Sequence, residues 1–157
     1  MTLPLRPASF DTVLALDVIE HLPDDVAFLE SAAALCAPGG RVIVGVPAFQ
    51  LLWSRHDQTF QHHRRYSAAQ LREAVVAAGL RIERITYTNF LVFPAAAVWR
   101  ILSYRVGLGR IAPEHDFWRM PGWLNAALVL AYRLEAWLLR RCDLPFGVSV
   151  ACIASRR

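Results

Sequence analysis

The sequence predicts an α/β fold built on a mainly parallel sheet. Two runs, "TVLALDVI" (12–19) and "RVIVGVPA" (41–48), are continuous, apolar and rich in β-branched residues, the pattern of strands buried on both faces. The segment between them carries helix signals, so strand, helix and strand follow one another within about forty residues as a crossover unit. A further helix and strand at 67–90 repeat the theme, and an apolar strand closes the chain at 145–157.

Each element has its local reason. "PDDVAFLESAAALCAPGG" (23–40) places acids at the positive end of a helix and Pro38-Gly39-Gly40 past its stop. Ser67 caps the next helix, whose Leu71, Val75 and Ala78 share a face, and Gly79 ends it. Arg81 to Phe90 read as a strand, although Ile82, Ile85 and Tyr87 alternate only in part. In "PFGVSVACIASRR" Val148, Val150 and Cys152 fall on one side of a last strand.

Before that strand lies a helical insert, residues 91–145, with all but one of the five tryptophans. Segments 92–105 and 121–140 read as helices. Arg100 and Arg105 interrupt the first and Arg133 and Glu135 the second, so neither offers the ~20 mainly apolar residues of a membrane span. Trp137, Leu138 and Leu139 beside Arg140 and Arg141 suit a helix lying on a membrane surface, and equally one packed on the sheet. "GLGRIA" (107–112) has the form G-x-G-x-x-A but follows a helix-like segment and precedes prolines, so no phosphate loop is expected there.

A length of 157 residues with 55% hydrophobic and 19% charged residues fits a single globular domain over 1–157 and excludes a disordered chain. The net charge of +4 is spread among interleaved acids, without a basic run, so no DNA partner is expected. All 17 basic residues are arginine. Cys36, Cys142 and Cys152 have neither redox-pair nor zinc spacing and read as small apolar residues. Prolines break the start where a signal peptide needs an apolar run, and the expected compartment is the cytoplasm.

Open α/β sheets bind ligands at the carboxyl ends of their strands, and "DVIEHL" (17–22) occupies that place. If the chain turns helical there, Asp17, Glu20 and His21 fall at i, i+3 and i+4 on one face. Two carboxylates and an imidazole so placed shift one another's pKa, act as acid or base, or hold a divalent cation. Alternatively they are acids at a helix start beside a packed histidine. The second concentration, "LWSRHDQTFQHHRRYSAAQL", gathers Trp53, His56, Asp57, His62, His63, Arg64, Arg65 and Tyr66. Ordinary connections run to about 4–6 residues, so this loop is long for a plain link. Arg64 or Arg65 suits a bidentate clamp on a carboxylate or phosphate, or else a solvated pair near a helix start.

Together, "FDTVLALDVIEHLPDD", "APGGRVIVGVPA" and "HDQTFQHHRRYSAAQLREAVVAAGL" resemble the second half of a class I S-adenosylmethionine-dependent methyltransferase of the broad small-molecule type, over residues 8–90 and again at the last strand. The resemblance implies a partial Rossmann-like methyltransferase sheet, parallel strands plus a final antiparallel one, with S-adenosylmethionine as cofactor. It implies Asp17, Val18 and His21 beside the methionine end of the cofactor, and Glu20 and His21 as the catalytic pair with His21 as base. It implies Trp53, Asp57, His62, Arg64, Arg65 and Tyr66 facing the methyl acceptor. The family's glycine-rich loop and ribose-binding acid would precede residue 1, so a partial domain is expected. Asp17, Glu20, His21 and His62 are also similar to the E-x-x-E-H plus distal His of divalent-metal-dependent O-methyltransferases, which implies a metal set with Asp in place of the first Glu.

The activity so implied is methyl transfer to a small-molecule or lipid-linked hydroxyl or amine, incomplete in this chain alone. The alternative is a non-catalytic half-domain that self-associates, or pairs with another chain, through the open edge of its first strand. A third reading is a peripheral membrane module over residues 91–141.

Overall fold

The computed structural model describes residues 5–106 and 121–156; the "GLGRIA" segment lies outside them. Strands β1 (Phe10–Leu16), β2 (Cys36–Pro47), β3 (Leu80–Thr88) and β4 (Ser149–Arg156) form one sheet in the order β1-β2-β4-β3. β1 runs parallel to β2, from Thr12↔Arg41 to Leu16↔Gly45. β4 is antiparallel to β2 on one side and β3 on the other, so it is the expected final antiparallel strand, set between two that run the same way. Its central place suits its sequence, because Val150, Cys152 and Ala154 are completely buried.

Helices α1 (Asp25–Leu35) and α3 (Ala68–Ala77) cover one face of this sheet and touch each other. Leu29 and Ala32 of α1 and Leu71 and Val75 of α3 join Val42, Val44, Val46, Val150 and Cys152 in one core. Each fully buried Val or Leu contributes roughly 1.5–3 kcal/mol, so this layer carries most of the fold's stability. The other face is thinly covered. β1 is therefore not a strand buried on both sides: Ala15 is buried and Val13 packs against the core, while Leu14 and Leu16 are 61% and 55% exposed. β1 also ends earlier than expected, because Asp17 takes a left-handed φ of 50° that no extended strand tolerates.

Two helix ends behave differently. α3 begins in a full capping box, in which Ser67 Oγ accepts from the Gln70 N–H and Gln70 Oε1 accepts from the Ser67 N–H. It closes at Gly79, whose φ of 75° favours glycine. α1 is capped by Asp24, which accepts from the Ala27 N–H at 2.9 Å, but it stops at Leu35, before the Pro38-Gly39-Gly40 stop expected from the sequence. Cys36 is already in β2 and fully buried, and the extra residues of β2 bulge out between Phe10↔Cys36 and Thr12↔Arg41.

The insert forms α4 (Phe93–Val106) and α5 (Gly122–Leu139), as expected. α5 is fastened near its carboxyl end, where buried Glu135 accepts from the Asn89 and Leu91 N–H groups and Arg84 donates to the Leu139 and Cys142 carbonyls. No described helix is long and apolar enough to cross a membrane. Replacing Ser67 by alanine removes its half of the box and is expected to lower the unfolding free energy by about 1 kcal/mol. Urea unfolding should show a lower midpoint at an unchanged slope.

Candidate functional site

The site begins where β1 ends. Asp17 turns the chain out of the sheet while its N–H donates to the Gly45 carbonyl at 2.9 Å. The next residues form not an α-helix but a single 3₁₀ turn, Ile19–His21. That turn drives Ile19 into the core and carries Glu20 in beside it, both completely buried. Asp17 remains exposed and Val18 half-buried. Neither carboxylate oxygen of Glu20 has a hydrogen-bond partner among the described residues. Burial, with a smaller contribution from the Asp17 charge, holds the Glu20 pKa above the usual carboxylate value.

The long loop after β2 closes over this turn. Its base is zipped by Tyr66, whose N–H donates to the Pro47 carbonyl and whose carbonyl accepts from the Phe49 N–H, each at 3.0 Å. The loop contains a 3₁₀ turn (Gln50–Leu52) and the short helix α2 (Arg55–Thr59). Asp57 sits at its centre, completely buried. It accepts from Arg65 Nε at 2.7 Å and Nη2 at 3.1 Å, from the Ser54 N–H at 2.8 Å and Oγ at 3.0 Å, and from His62 Nδ1 at 2.9 Å. Burial alone would raise the Asp57 pKa, but the Arg65 guanidinium and these hydrogen bonds outweigh it and bring the value to about 2. Arg65 also donates to the Ala48 carbonyl at 3.1 Å. Arg100 of α4 donates to the Leu52 carbonyl at 3.0 Å and lies 3.8 Å from Asp57 Oδ2.

This loop delivers His62 to the 3₁₀ turn. The His62 and His21 rings meet edge to face, centroids 4.5 Å apart at 85°. One ligand atom from each of Glu20, His21 and His62 lies within 4.8 Å of the others. Because a carboxylate only accepts, the Asp57 contact places a proton on His62 Nδ1. The residue after His62 ties the loop to the same turn through the backbone, since the His63 N–H donates to the Glu20 carbonyl at 2.7 Å.

The remaining expected site residues stand around this cluster. Arg64 donates to the Leu22 and Pro23 carbonyls and pairs with Asp25 at 3.3 Å. The hydroxyl of buried Tyr66 donates to Asp25 Oδ2 at 2.7 Å, and burial together with that bond raises its pKa. Trp53, half-buried, directly follows the Gln50–Leu52 turn. Thus Glu20, His21 and His62 converge, Asp57 and Arg65 stand buried behind His62, and Arg64 and Tyr66 staple the loop to the start of α1. Asp17 is not part of the converging set. Sequence reading missed Ser54, Asp25 and Arg100. Asp25 carried a signal as a helix-start acid, while Arg100 lies 43 positions from Asp57 with nothing in the sequence linking them.

A family model described as a methyltransferase domain matches residues 6–85, just over half of the chain. The chain belongs to the methyltransferase domain family. It is 35% identical over 83 residues to the "Probable S-adenosylmethionine-dependent methyltransferase" of Mycolicibacterium smegmatis, covering 52% of this chain and 32% of that protein. It is 41% identical over 39 residues to the ubiquinone biosynthesis O-methyltransferase of Xanthomonas euvesicatoria, 25% of this chain and 16% of the relative. An S-adenosylmethionine-dependent methyltransferase structure from Thermotoga maritima superposes with a TM-score of 0.54 at 17% identity, over 99% of this chain and 60% of that one. The chain therefore spans about a third of the length of the first curated relative. The mixed sheet described above is the class I, Rossmann-like methyltransferase fold.

Asp57 gives this methyltransferase domain a testable dependence on acid. Its folded pKa of about 2 lies below the ordinary 3.8, so its stabilisation is complete above 3.8 and is lost as the pH falls toward 2. Asp57→Ala leaves the Arg65 guanidinium buried and unpaired, an expected loss of about 3–5 kcal/mol at neutral pH. Urea unfolding across this pH range should show the wild-type advantage shrinking between those limits.

Proposed function

We propose that this methyltransferase domain supplies the acceptor side of an O-methylating active site that uses S-adenosylmethionine. The observation that carries the reading is Glu20, a fully buried carboxylate with no partner among the described residues, set against two imidazoles at the carboxyl end of β1. An unpaired buried carboxylate is costly, and folds retain one where a ligand completes it. The similarity to the Xanthomonas ubiquinone biosynthesis O-methyltransferase favours a hydroxyl over an amine as acceptor. The acceptor is a small-molecule or lipid-linked hydroxyl.

In this reading the exposed Asp17 and half-buried Val18 stand beside the cofactor's methionine end, at the place where parallel sheets receive ligands. His21 is the base. The acceptor oxygen forms a bond to the methyl carbon, the sulfur–carbon bond breaks with its electron pair going to sulfur, and the hydroxyl proton passes to the His21 imidazole. Most of the acceleration comes from holding the oxygen and methyl in line. Asp57 and Arg65 position His62, and Trp53, Arg64 and Tyr66 shape the acceptor side of the loop.

As an alternative to His21 acting as base, a divalent cation fits the same cluster, because Glu20 oxygens and one nitrogen each from His21 and His62 form a mixed oxygen and imidazole donor set. Bound there, a cation lowers the pKa of a hydroxyl it contacts. Glu20 supplies the carboxylate, and Asp57 orients the His62 ring through Nδ1. Asp17 is not among these donors.

Thermal unfolding with manganese or magnesium chloride tests the cluster. At ~100-fold excess over Kd the wild-type midpoint should rise by about 5–10 °C, and the rise should vanish in Glu20→Gln and His62→Ala. An equal rise in those variants removes the metal reading. Methyl transfer to a panel of phenols tests the base: His21→Ala should lower kcat about 100-fold with S-adenosylmethionine affinity unchanged by calorimetry. Loss of cofactor affinity with unchanged kcat would make His21 a cofactor contact instead.

A further inference from the structure

α5 presents two apolar stripes, and the domain uses one. Leu124, Leu128, Ala131, Glu135 and Leu138 follow the 3–4 spacing of one helix face and are covered at least in part. A second line, Trp123, Ala127, Leu130, Leu134 and Trp137, has the same spacing and falls within about 80° of arc. Every member of it is exposed, Trp123 to 73% and Leu130 to 68%. Its two tryptophans are 14 positions apart, about 21 Å along the helix. A continuous apolar line of this length, with aromatic residues at both ends, is more than the scattered exposure normal for a soluble surface.

The charges beside it are all of one sign. Arg133 and Arg140 flank the stripe and Arg141 ends it, its guanidinium 5.0 Å from the Trp137 ring centre. Among the described residues from Phe93 to Cys142 the sole acid is Glu135, which is buried and occupied by the Asn89 and Leu91 N–H groups. Asp143, just beyond, is paired with Arg84 at 2.6 Å. Among the described residues, a second copy of this chain therefore brings no free acid on the same face to meet these arginines. A surface that is apolar inside and anionic outside meets both the stripe and its flank.

We propose that the outward stripe of α5 docks the domain on an anionic lipid bilayer. Trp123, Leu130, Leu134 and Trp137 enter the boundary between headgroups and acyl chains, and Arg133, Arg140 and Arg141 meet the lipid phosphates. The helix lies along the surface, as its length and its arginines require. This docking goes beyond methyl transfer and holds whatever the acceptor is.

Vesicle flotation of the purified 157-residue chain tests it. The wild type should float with phosphatidylcholine vesicles containing phosphatidylglycerol, less with phosphatidylcholine alone, and less as salt rises. Arg133→Gln and Arg140→Gln should each weaken partitioning about fivefold. Leu130→Glu with Leu134→Glu should abolish flotation while the far-ultraviolet circular dichroism is unchanged, and Leu51→Glu, a comparably exposed leucine outside the insert, should leave it intact. Brominated lipids should quench tryptophan fluorescence in the wild type and less in Trp123→Tyr with Trp137→Tyr. A wild type that stays at the bottom of the gradient, or the leucine variant floating as well as the wild type, overturns the proposal. So does a dimer that Leu130→Glu converts to a monomer without any vesicle binding, which would assign the stripe to a second copy.

Discussion

The buried ion pair between Asp57 and Arg65 is the constraint on which the site depends. A carboxylate removed from water costs several kcal/mol unless its lone pairs are filled, and here five donors fill them. The long loop has no extensive apolar core of its own, so its shape follows from where those donors must stand. Arg65 fixes the end of the loop, Ser54 the start of α2, and His62 the segment between them. His62 thus reaches the 3₁₀ turn as a consequence of satisfying Asp57. Loss of the pair would return the loop to the entropy of an open connection and leave Glu20 facing no ordered imidazole but His21.

The contrast between the two buried acids separates structure from chemistry. Asp57 is saturated with donors and held ionised, so it has no capacity left for a ligand. Glu20 is equally buried, lacks side-chain partners among the described residues, and is pushed toward its protonated form. Folding gains nothing from Glu20 as it stands. Under the proposed function, the adjacent imidazoles make a proton, a hydroxyl or a cation the group that would complete it. Tyr66 resembles Asp57 in this respect, its hydroxyl committed to Asp25.

Sequence reading recovered the elements whose signals are local. The Ser67 cap, the Gly79 stop, the two insert helices and the run of β-branched residues in β2 each depend on neighbours within a turn or a strand. It failed where the decision lies elsewhere in the chain. The apolar run at residues 12–19 looks buried on both faces, yet which face is covered depends on α1 and α3 lying on the same side. The helical face on which Asp17, Glu20 and His21 would meet is replaced by a short turn, with Ile19 drawn into the core. For the loop, composition marked the right residues, but a list of polar side chains does not distinguish those facing a ligand from those facing one another. Asp57 and Arg65 are adjacent to the exposed segment in sequence and interior in space, and only their mutual geometry shows it.

The insert is tied to the site by more than proximity in the sequence. Arg100 on α4 reaches the Leu52 carbonyl and the Asp57 carboxylate, so the loop that carries His62 is braced from the insert side. α5 is fastened to the chain that leaves β3, through Glu135 and the Asn89 and Leu91 N–H groups. Both attachments are polar and specific, which sets where each helix meets the domain while leaving the outer stripe of α5 uncovered. A domain built this way holds the Asp57 loop and its apolar helix in a defined relation. If α5 rests on a bilayer, the His21 and His62 cluster is carried there with it, and a hydroxyl on a lipid-linked acceptor gains in effective concentration what a freely diffusing one must find by collision. The same attachments that orient the loop would then select the acceptor by where it resides as well as by its shape.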